Sequence, residues 1–493
     1  MTVARRAFLK HCAGVLAGLF PGVSASAAVR LGASREAGLA GLGATGAIAL
    51  MKSGVLMAEE YAAALLARAE AGRDLNAFIA LDRERILEAA RAADRLRTAG
   101  KPLGLLHGLP IPVKDSVLTA DYPTTAGTRA FSAVAPRRDA EIVRRLKAQG
   151  AIVMGKTNLH ELSAGFTSNN EIFGPVRNPH DTARTPGGSS GGTAAAIASG
   201  MAPLGVAEDT AGSIRVPAAL CGIAGFRPTT GRYPVDGLVP LTPAFDQPGP
   251  HARDVRDLAL FDAAIMGRRS GLPARPIRGL RIGVPRGYFF EGVAAEVIAP
   301  IERALAALRE SGAVLVEAEI PDAKALLDQA FVPILFHETW GVLDNWFREQ
   351  GVPGGLPEIL AGAGARTREQ FAGVLAPDAP QAIPVEVYEN AVNVAQPALK
   401  TTVAEYFRNH RLDAIVFPAT LCAAPLIGEE VETAIDGRQV PLFDALGHNS
   451  VFAPSCGLPA LTLPAGFTRA GLPVAIELDV LPNDDEKLLA VGL

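Results

Sequence analysis

The chain is poor in cysteine, tryptophan and tyrosine. Among 493 residues there are 4 Cys, 2 Trp and 6 Tyr. Cys12, Cys221, Cys422 and Cys456 are scattered too widely to read as a disulfide framework. They have no metal-ligand spacing either, so no metal site is expected and buried free thiols are the default. With so few Trp and Tyr there is no obvious platform for stacked bases. Basic excess is also missing: the formal net charge is −4, which argues against a nucleic-acid partner. No apolar run is long enough to span a bilayer; the stretch 12–23 is broken by Gly14, Gly18 and Pro21. Internal repeats and low-complexity linkers are absent as well.

What is present is an ordinary globular composition, 49% hydrophobic and 20% charged. The length suggests roughly three domains, although large α/β enzymes often remain one unit. The first residues are an exception. Ala4-Arg5-Arg6-Ala7-Phe8-Leu9-Lys10 is a twin-arginine pattern, followed by the weak apolar run and then Ser24-Ala25-Ser26-Ala27-Ala28. This predicts an export signal over 1–27, cleaved near Ala27, and a periplasmic protein.

Apolar periodicity predicts helices over Met57–Ala71 and Arg83–Arg97; Asp139–Gln149 reads as a helix closed by Gly150 as a C-cap, and alanine-rich Thr193–Ser199 as another. Short strands are predicted over Leu109–Lys114, Ala151–Met154 and Leu280–Val284. Strands alternating with helices imply an α/β fold, a sheet covered by helices. From 271 to 410 the texture becomes mostly helical. This segment reads as an insertion covering the site, between core segments 57–270 and 411–493.

Two serines lie in glycine-rich settings. One is in Thr185-Pro186-Gly187-Gly188-Ser189-Ser190-Gly191-Gly192, the other in Glu208-Asp209-Thr210-Ala211-Gly212-Ser213-Ile214-Arg215. Small residues before a serine let backbone N–H groups converge on one point and form an oxyanion hole. Upstream, Gly108-Leu109-Pro110-Ile111-Pro112-Val113-Lys114 frames a lysine with apolar residues. Such a lysine loses hydration, and its neutral form becomes accessible as a base. Lysine and two serines together point to acyl transfer.

These motifs resemble the amidase signature family. Supporting stretches are Gly222-Ile223-Ala224-Gly225-Phe226-Arg227-Pro228-Thr229 and Gly457-Leu458-Pro459-Ala460. The resemblance runs from about Ala62 to the C-terminus. It implies the amidase signature fold, a central mixed β-sheet covered on both faces by α-helices. It implies Lys114 as the base, Ser189 as the bridging serine on a cis peptide bond, and Ser213 as the nucleophile. The two serines lie 24 residues apart, a register that selects Ser189 over Ser190. Backbone amides of Thr210, Ala211, Gly212 and Ser213 are the implied oxyanion hole, with Asp209 and Arg215 as structural support. The implied reaction is hydrolysis of a carboxylic amide to acid and ammonia or amine, without cofactor. The partner is a small-molecule amide, with room for a homodimer and no stable membrane association after signal cleavage.

Two positions depart from the family pattern. Ala211 stands where glycine is usual, and Glu208 where a small serine or threonine is usual. An alanine is tolerated at 211 only if that position needs no positive φ. The Ala-Glu-Asp-Thr-x-Gly-Ser variant looks like the branch of indoleacetamide and mandelamide hydrolases, which suggests aryl-acetamide-type substrates. The same motifs also suit an amidotransferase-like component of a larger complex, although an export signal weighs against it.

Other patterns compete. Gly150–Thr157 matches the phosphate-loop consensus, but its apolar middle reads as a strand. Gly187-x-Ser189-x-Gly191 matches the nucleophile elbow of α/β-hydrolases, which would recruit a histidine such as His448. An elbow needs a strand immediately before its serine, and 177–186 is polar with two prolines. Trp340 and Trp346, with Phe331, Phe336 and Phe347, read as helix core, with an aromatic acyl pocket as the alternative.

Overall fold

The computed structural model describes residues 38–132, 136–269 and 271–493. The export signal expected over 1–27, and Cys12 within it, lie outside the described residues. One sheet of eleven strands organises the molecule. In chain order these are β1 (Phe78–Ala80), β2 (Pro110–Lys114), β3 (Ile152–Thr157), β4 (Leu204–Asp209), β5 (Ala224–Arg227), β6 (Gln247–Ala252), β7 (Arg281–Gly283), β8 (Val314–Val316), β9 (Ala414–Pro418), β10 (Ala460–Phe467) and β11 (Pro473–Asp479). Their order across the sheet is β1-β3-β2-β4-β6-β5-β10-β11-β9-β7-β8. Strands β2, β3 and β4 run parallel, and so do β9, β7 and β8. The middle of the sheet, from β4 through β6, β5, β10 and β11 to β9, is antiparallel. The sheet is therefore mixed, and helices flank it.

The central strands have no polar face. Every residue of β2, β3, β4, β6 and β11 is buried. Strands covered on both faces are near-continuous apolar runs, and the few charged residues in them need partners. Strand β2 carries Pro110 and Pro112 although it lies inside the sheet. Its register against β3 shifts between Ile111 and Val113, and it pairs with β4 only at Val113–Val206. Pro112 sits in that irregularity, where a ladder N–H is not required.

The four helices expected from the sequence occur at Ala58–Ala71, Arg83–Thr98, Glu141–Ala148 and Gly191–Ala198. Gly150 follows the third with φ +88°. Strand β3 runs to Thr157, three residues beyond the Met154 limit expected from the apolar run. The extension carries Lys156, fully buried and donating to Thr124 Oγ1 at 2.8 Å. The segment 271–410 is only partly a cover. Its first part supplies β7 and β8, which prolong the sheet beside β9. Its later helices, from Ala323–Glu349 to Gln396–His410, are the true covering layer.

Candidate active site

The Lys114 side chain starts from the last residue of β2 and is fully buried. Its Nζ lies 2.5 Å from Ser189 Oγ and 2.5 Å from Glu208 Oε1. Burial pushes the Lys114 amine below its ordinary range, against the opposing pull of the Glu208 carboxylate. Ser189 follows a cis Gly188–Ser189 peptide in the loop leading to helix Gly191–Ala198. Its neighbour Ser190 turns elsewhere and donates to the Glu208 carbonyl at 3.1 Å. The hydroxyl facing the lysine thus belongs to Ser189, the serine selected by spacing.

Ser213 lies in the turn between β4 and helix Arg215–Cys221. It lines a cavity of about 660 Å³ together with Ser163, Thr210 and Ala211. The turn is tied from within. Asp209 accepts the N–H of Gly212 through Oδ1 and that of Ile214 through Oδ2, each at 3.0 Å. The Gly212 amide is therefore committed to Asp209 and does not belong in the oxyanion set expected from sequence. The amides of Thr210, Ala211 and Ser213 remain as candidates. The position in the turn with positive φ is Gly212, at +129°, not Ala211. A Cβ on Gly212 would overlap the Ser450 hydroxyl. Alanine at 211 costs the turn no strain, and Ser450 Oγ donates to the Ala211 carbonyl at 2.5 Å.

Asp209 and Arg215 form a buried ion pair, with Nη2 3.0 Å from Oδ1. Arg215 also reaches Glu477 Oε1 on β11 at 2.6 Å, and Arg227 on β5 approaches Asp209 at 3.4 Å. Burial by itself would raise Asp209, but the two guanidinium groups hold it below the usual carboxylate range.

Sequence reasoning missed several polar groups here. Glu208 was visible only as a departure from the family pattern. Its Oε1 accepts Ser163 Oγ at 2.7 Å and Ser116 Oγ at 3.2 Å as well as Lys114. Asp246 accepts the Thr210 hydroxyl at 2.5 Å, and burial pushes its carboxyl up to about 7. Nothing in the local sequence marks Asp246, since its partner lies 36 positions away.

The rest of the cavity wall is mostly apolar: Phe166, Leu241, Leu335, Phe336, Val374, Leu375, Leu442 and Phe443. Val374 and Leu375 come from a π-helical turn, Phe371–Leu375. His160, Arg366, Glu369, Gln370, Gln381 and Glu430 supply a polar part. Of the five aromatic residues singled out on helix Ala323–Glu349, only Phe336 lines the cavity. Phe331 stacks on Phe245, Trp346 and Phe347 pack against Phe131, and Trp340 lies near Phe371.

The competing motifs fall away. Ser189 has no strand immediately before it, and His448 stacks on Tyr288 with Nε2 3.1 Å from the Tyr288 carbonyl oxygen. An elbow triad has no geometric basis. The phosphate-loop match is β3 itself, and Lys156 pairs with Asp115 at 3.5 Å inside the core. Among the described residues no group of three or more His, Cys, Asp or Glu is arranged to hold a metal ion. No helix among them is long and apolar enough to cross a membrane. Cys221, Cys422 and Cys456 are buried free thiols.

A profile of the amidase family matches residues 60–489. The chain belongs to the amidase signature family. Among curated relatives, an indoleacetamide hydrolase of Agrobacterium vitis is 37% identical over 442 residues, covering 88% of this chain and 92% of that protein. A component of the glutamyl-tRNA(Gln) amidotransferase of Chloroflexus aggregans is 36% identical over 469 residues, covering 90% and 93%. Among solved structures, one described as an amidase superposes with a TM-score of 0.82 at 29% identity, covering 92% of this chain and 98% of that one. This amidase is accordingly an enzyme that hydrolyses amides. Its mixed sheet flanked by helices is the fold of its structural neighbours.

Proposed function

We propose that the protein hydrolyses a carboxylic amide through an acyl-enzyme, with Lys114, Ser189 and Ser213 as a proton relay. The observation carrying this reading is the 2.5 Å contact of Lys114 Nζ with Ser189 Oγ, beside a cavity that Ser213 lines. Neutral Lys114 takes the Ser189 hydroxyl proton, and Ser189 takes that of Ser213. The Ser213 oxygen then bonds to the amide carbon. Backbone amides of Thr210, Ala211 and Ser213 receive the oxyanion. As the C–N bond breaks, Ser189 returns a proton to the leaving nitrogen, because an amide anion is a poor leaving group. Water attacks the acyl-enzyme by the same relay, releasing the acid and restoring Ser213.

The acyl group is proposed to be an aryl-acetamide type. Phenyl rings from Phe166, Phe336 and Phe443, with Leu241 and Leu335, form an apolar wall near Ser213. A cavity of about 660 Å³ has room for such a group. The indoleacetamide hydrolase relatives support this choice. The test measures ammonia release by the chain alone from a primary aryl-acetamide and from acetamide. The aryl substrate is expected to be favoured in kcat/KM by tenfold or more, on the order of what a few methylene-sized contacts supply. Ser213→Ala and Lys114→Ala are each expected to lose on the order of 10³-fold while remaining folded, with losses that do not add. Near-normal turnover in either folded variant rejects the relay. The amidotransferase relative motivates a second reading, as one component of a larger complex. Ammonia release only when partner chains are added would favour it.

A further inference from the structure

Lys114 has two hydrogen-bond partners on its amine, and only one of them is in the relay. The other is Glu208, in the position where the family pattern has a small hydroxyl residue. We propose that Glu208 is a positioning residue that aims the Lys114 lone pair at Ser189 and sets the pH range in which the relay operates. This rests on the Lys114–Ser189–Ser213 reading.

The argument starts from the geometry of an amine. A neutral lysine has two N–H donors and one lone pair, on a flexible four-carbon stem. To accept the Ser189 proton, the lone pair must face Ser189 Oγ, so an N–H must be satisfied elsewhere. Glu208 Oε1, 2.5 Å away, is that acceptor. Once the proton has moved, the new ammonium faces a carboxylate in a buried site, where such a contact is strong.

Its own position is fixed from several sides. Ser116, just past β2, and Ser163 donate to the same oxygen that holds Lys114. The Glu208 backbone carbonyl accepts the Ser190 hydroxyl, which ties the loop carrying Ser189 to β4. One residue thus bridges base and bridging serine. Ser163 also lines the cavity, so a substrate pressing on this wall touches a donor to Glu208.

Other charged groups face Lys114. Asp209 and Asp246 favour its charged form, whereas His160 and His251 are held down to about 4 by burial and stay neutral near pH 7. Lys156 on β3 is engaged with Asp115. Asp246, pushed up to about 7, titrates in the range where a pH effect would be read, so it needs a control.

The experiment compares pH profiles of kcat/KM for the full chain and for Glu208→Gln, Glu208→Ser, Asp246→Asn and Lys114→Ala. Glu208→Gln keeps the shape and removes the charge; Glu208→Ser restores the usual family residue and covers the case in which the glutamine variant does not fold. Both are expected to move the rising limb to lower pH, by about one unit or more, because an opposite charge in contact is worth about 1–3 units. Asp246→Asn, which removes a weaker and non-contacting charge, is expected to keep a rising limb that moves less than in the Glu208 variants, and Lys114→Ala to lose activity. A limb unmoved in the folded Glu208 variants overturns the proposal, and so does its disappearance in Asp246→Asn. Activity retained in Lys114→Ala would remove the relay reading itself, which is a separable failure.

Discussion

Lys114 is an amine in a place where water cannot reach it, and its chemistry follows from that. Burial disfavours the ammonium, Glu208 favours it, and burial is the larger influence. The sign for activity is then fixed. The proposed base must be neutral to act, so kcat/KM is expected to rise with pH, through a value below that of a free lysine at about 10.4. A profile flat from about pH 6 to 9, with chemistry rate-limiting, would speak against a lysine base. The three side chains of the proposed relay stood out in sequence because each sits in a backbone setting with few uses. Glycines flank both serines, and apolar residues frame the lysine. Glu208 was legible only as an oddity. Its partner Lys114 lies 94 positions upstream, and only the pairing of β2 with β4 brings them together. The Gly212 amide was misassigned for a similar reason: a glycine beside the nucleophile looks like a donor to substrate, and nothing local shows that Asp209 already holds it.

At the scale of elements, the turn between β4 and helix Arg215–Cys221 matters most. It is a short turn held by a carboxylate that accepts two backbone N–H groups and the Arg215 guanidinium and pairs by charge with Arg227. Asp209→Ala would leave Arg215 and Arg227 short of a buried counter-charge and free two amides. Removing one partner of a buried pair costs roughly 3–5 kcal/mol. The expected result is a fall of that size in unfolding free energy, read from the urea midpoint, with activity lost through the distorted turn. Ala211→Gly, in the same turn, should change stability by no more than about 1 kcal/mol, since Ala211 needs no positive φ. Equal stability of Asp209→Ala and the parent would mean that the ion network braces nothing. Of the helices beside this turn, Gly191–Ala198 was expected from its alanine-rich run, whereas Arg215–Cys221 carried no signal that was read. Strand limits were less so: β3 ends in Lys156 and Thr157, whose burial depends on Asp115, Thr124 and Thr193 rather than on their own polarity. Strands β7 and β8 are three residues each, too short to announce that they join the main sheet.

At the scale of the molecule, the sheet is assembled from distant parts of the chain. Strand β5 pairs with β10, Arg227 opposite Ala460, and β9 pairs with β11. The site needs both ends of this arrangement, because Arg215 is anchored on Glu477 of β11. Such a non-local sheet cannot close until nearly the whole chain is available, and non-local pairing is slow. An export route that moves cargo already folded suits a protein of this kind. The sequence carries a pattern that fits such a route, Arg5-Arg6 followed by Phe8-Leu9-Lys10 and a glycine-diluted apolar run. We therefore propose that the amidase is exported folded by the twin-arginine route and acts in the periplasm, on amides met outside the cytoplasm. N-terminal sequencing of the protein purified from its native host is expected to begin near Ala28. Replacing Arg5 and Arg6 together with lysine should leave an active enzyme in the cytoplasmic fraction, because the proposed catalytic residues all lie far beyond the proposed signal. Export of the double variant, or a wild-type protein that still begins at Met1, would reject the route and would strengthen the reading as a cytoplasmic amidotransferase component.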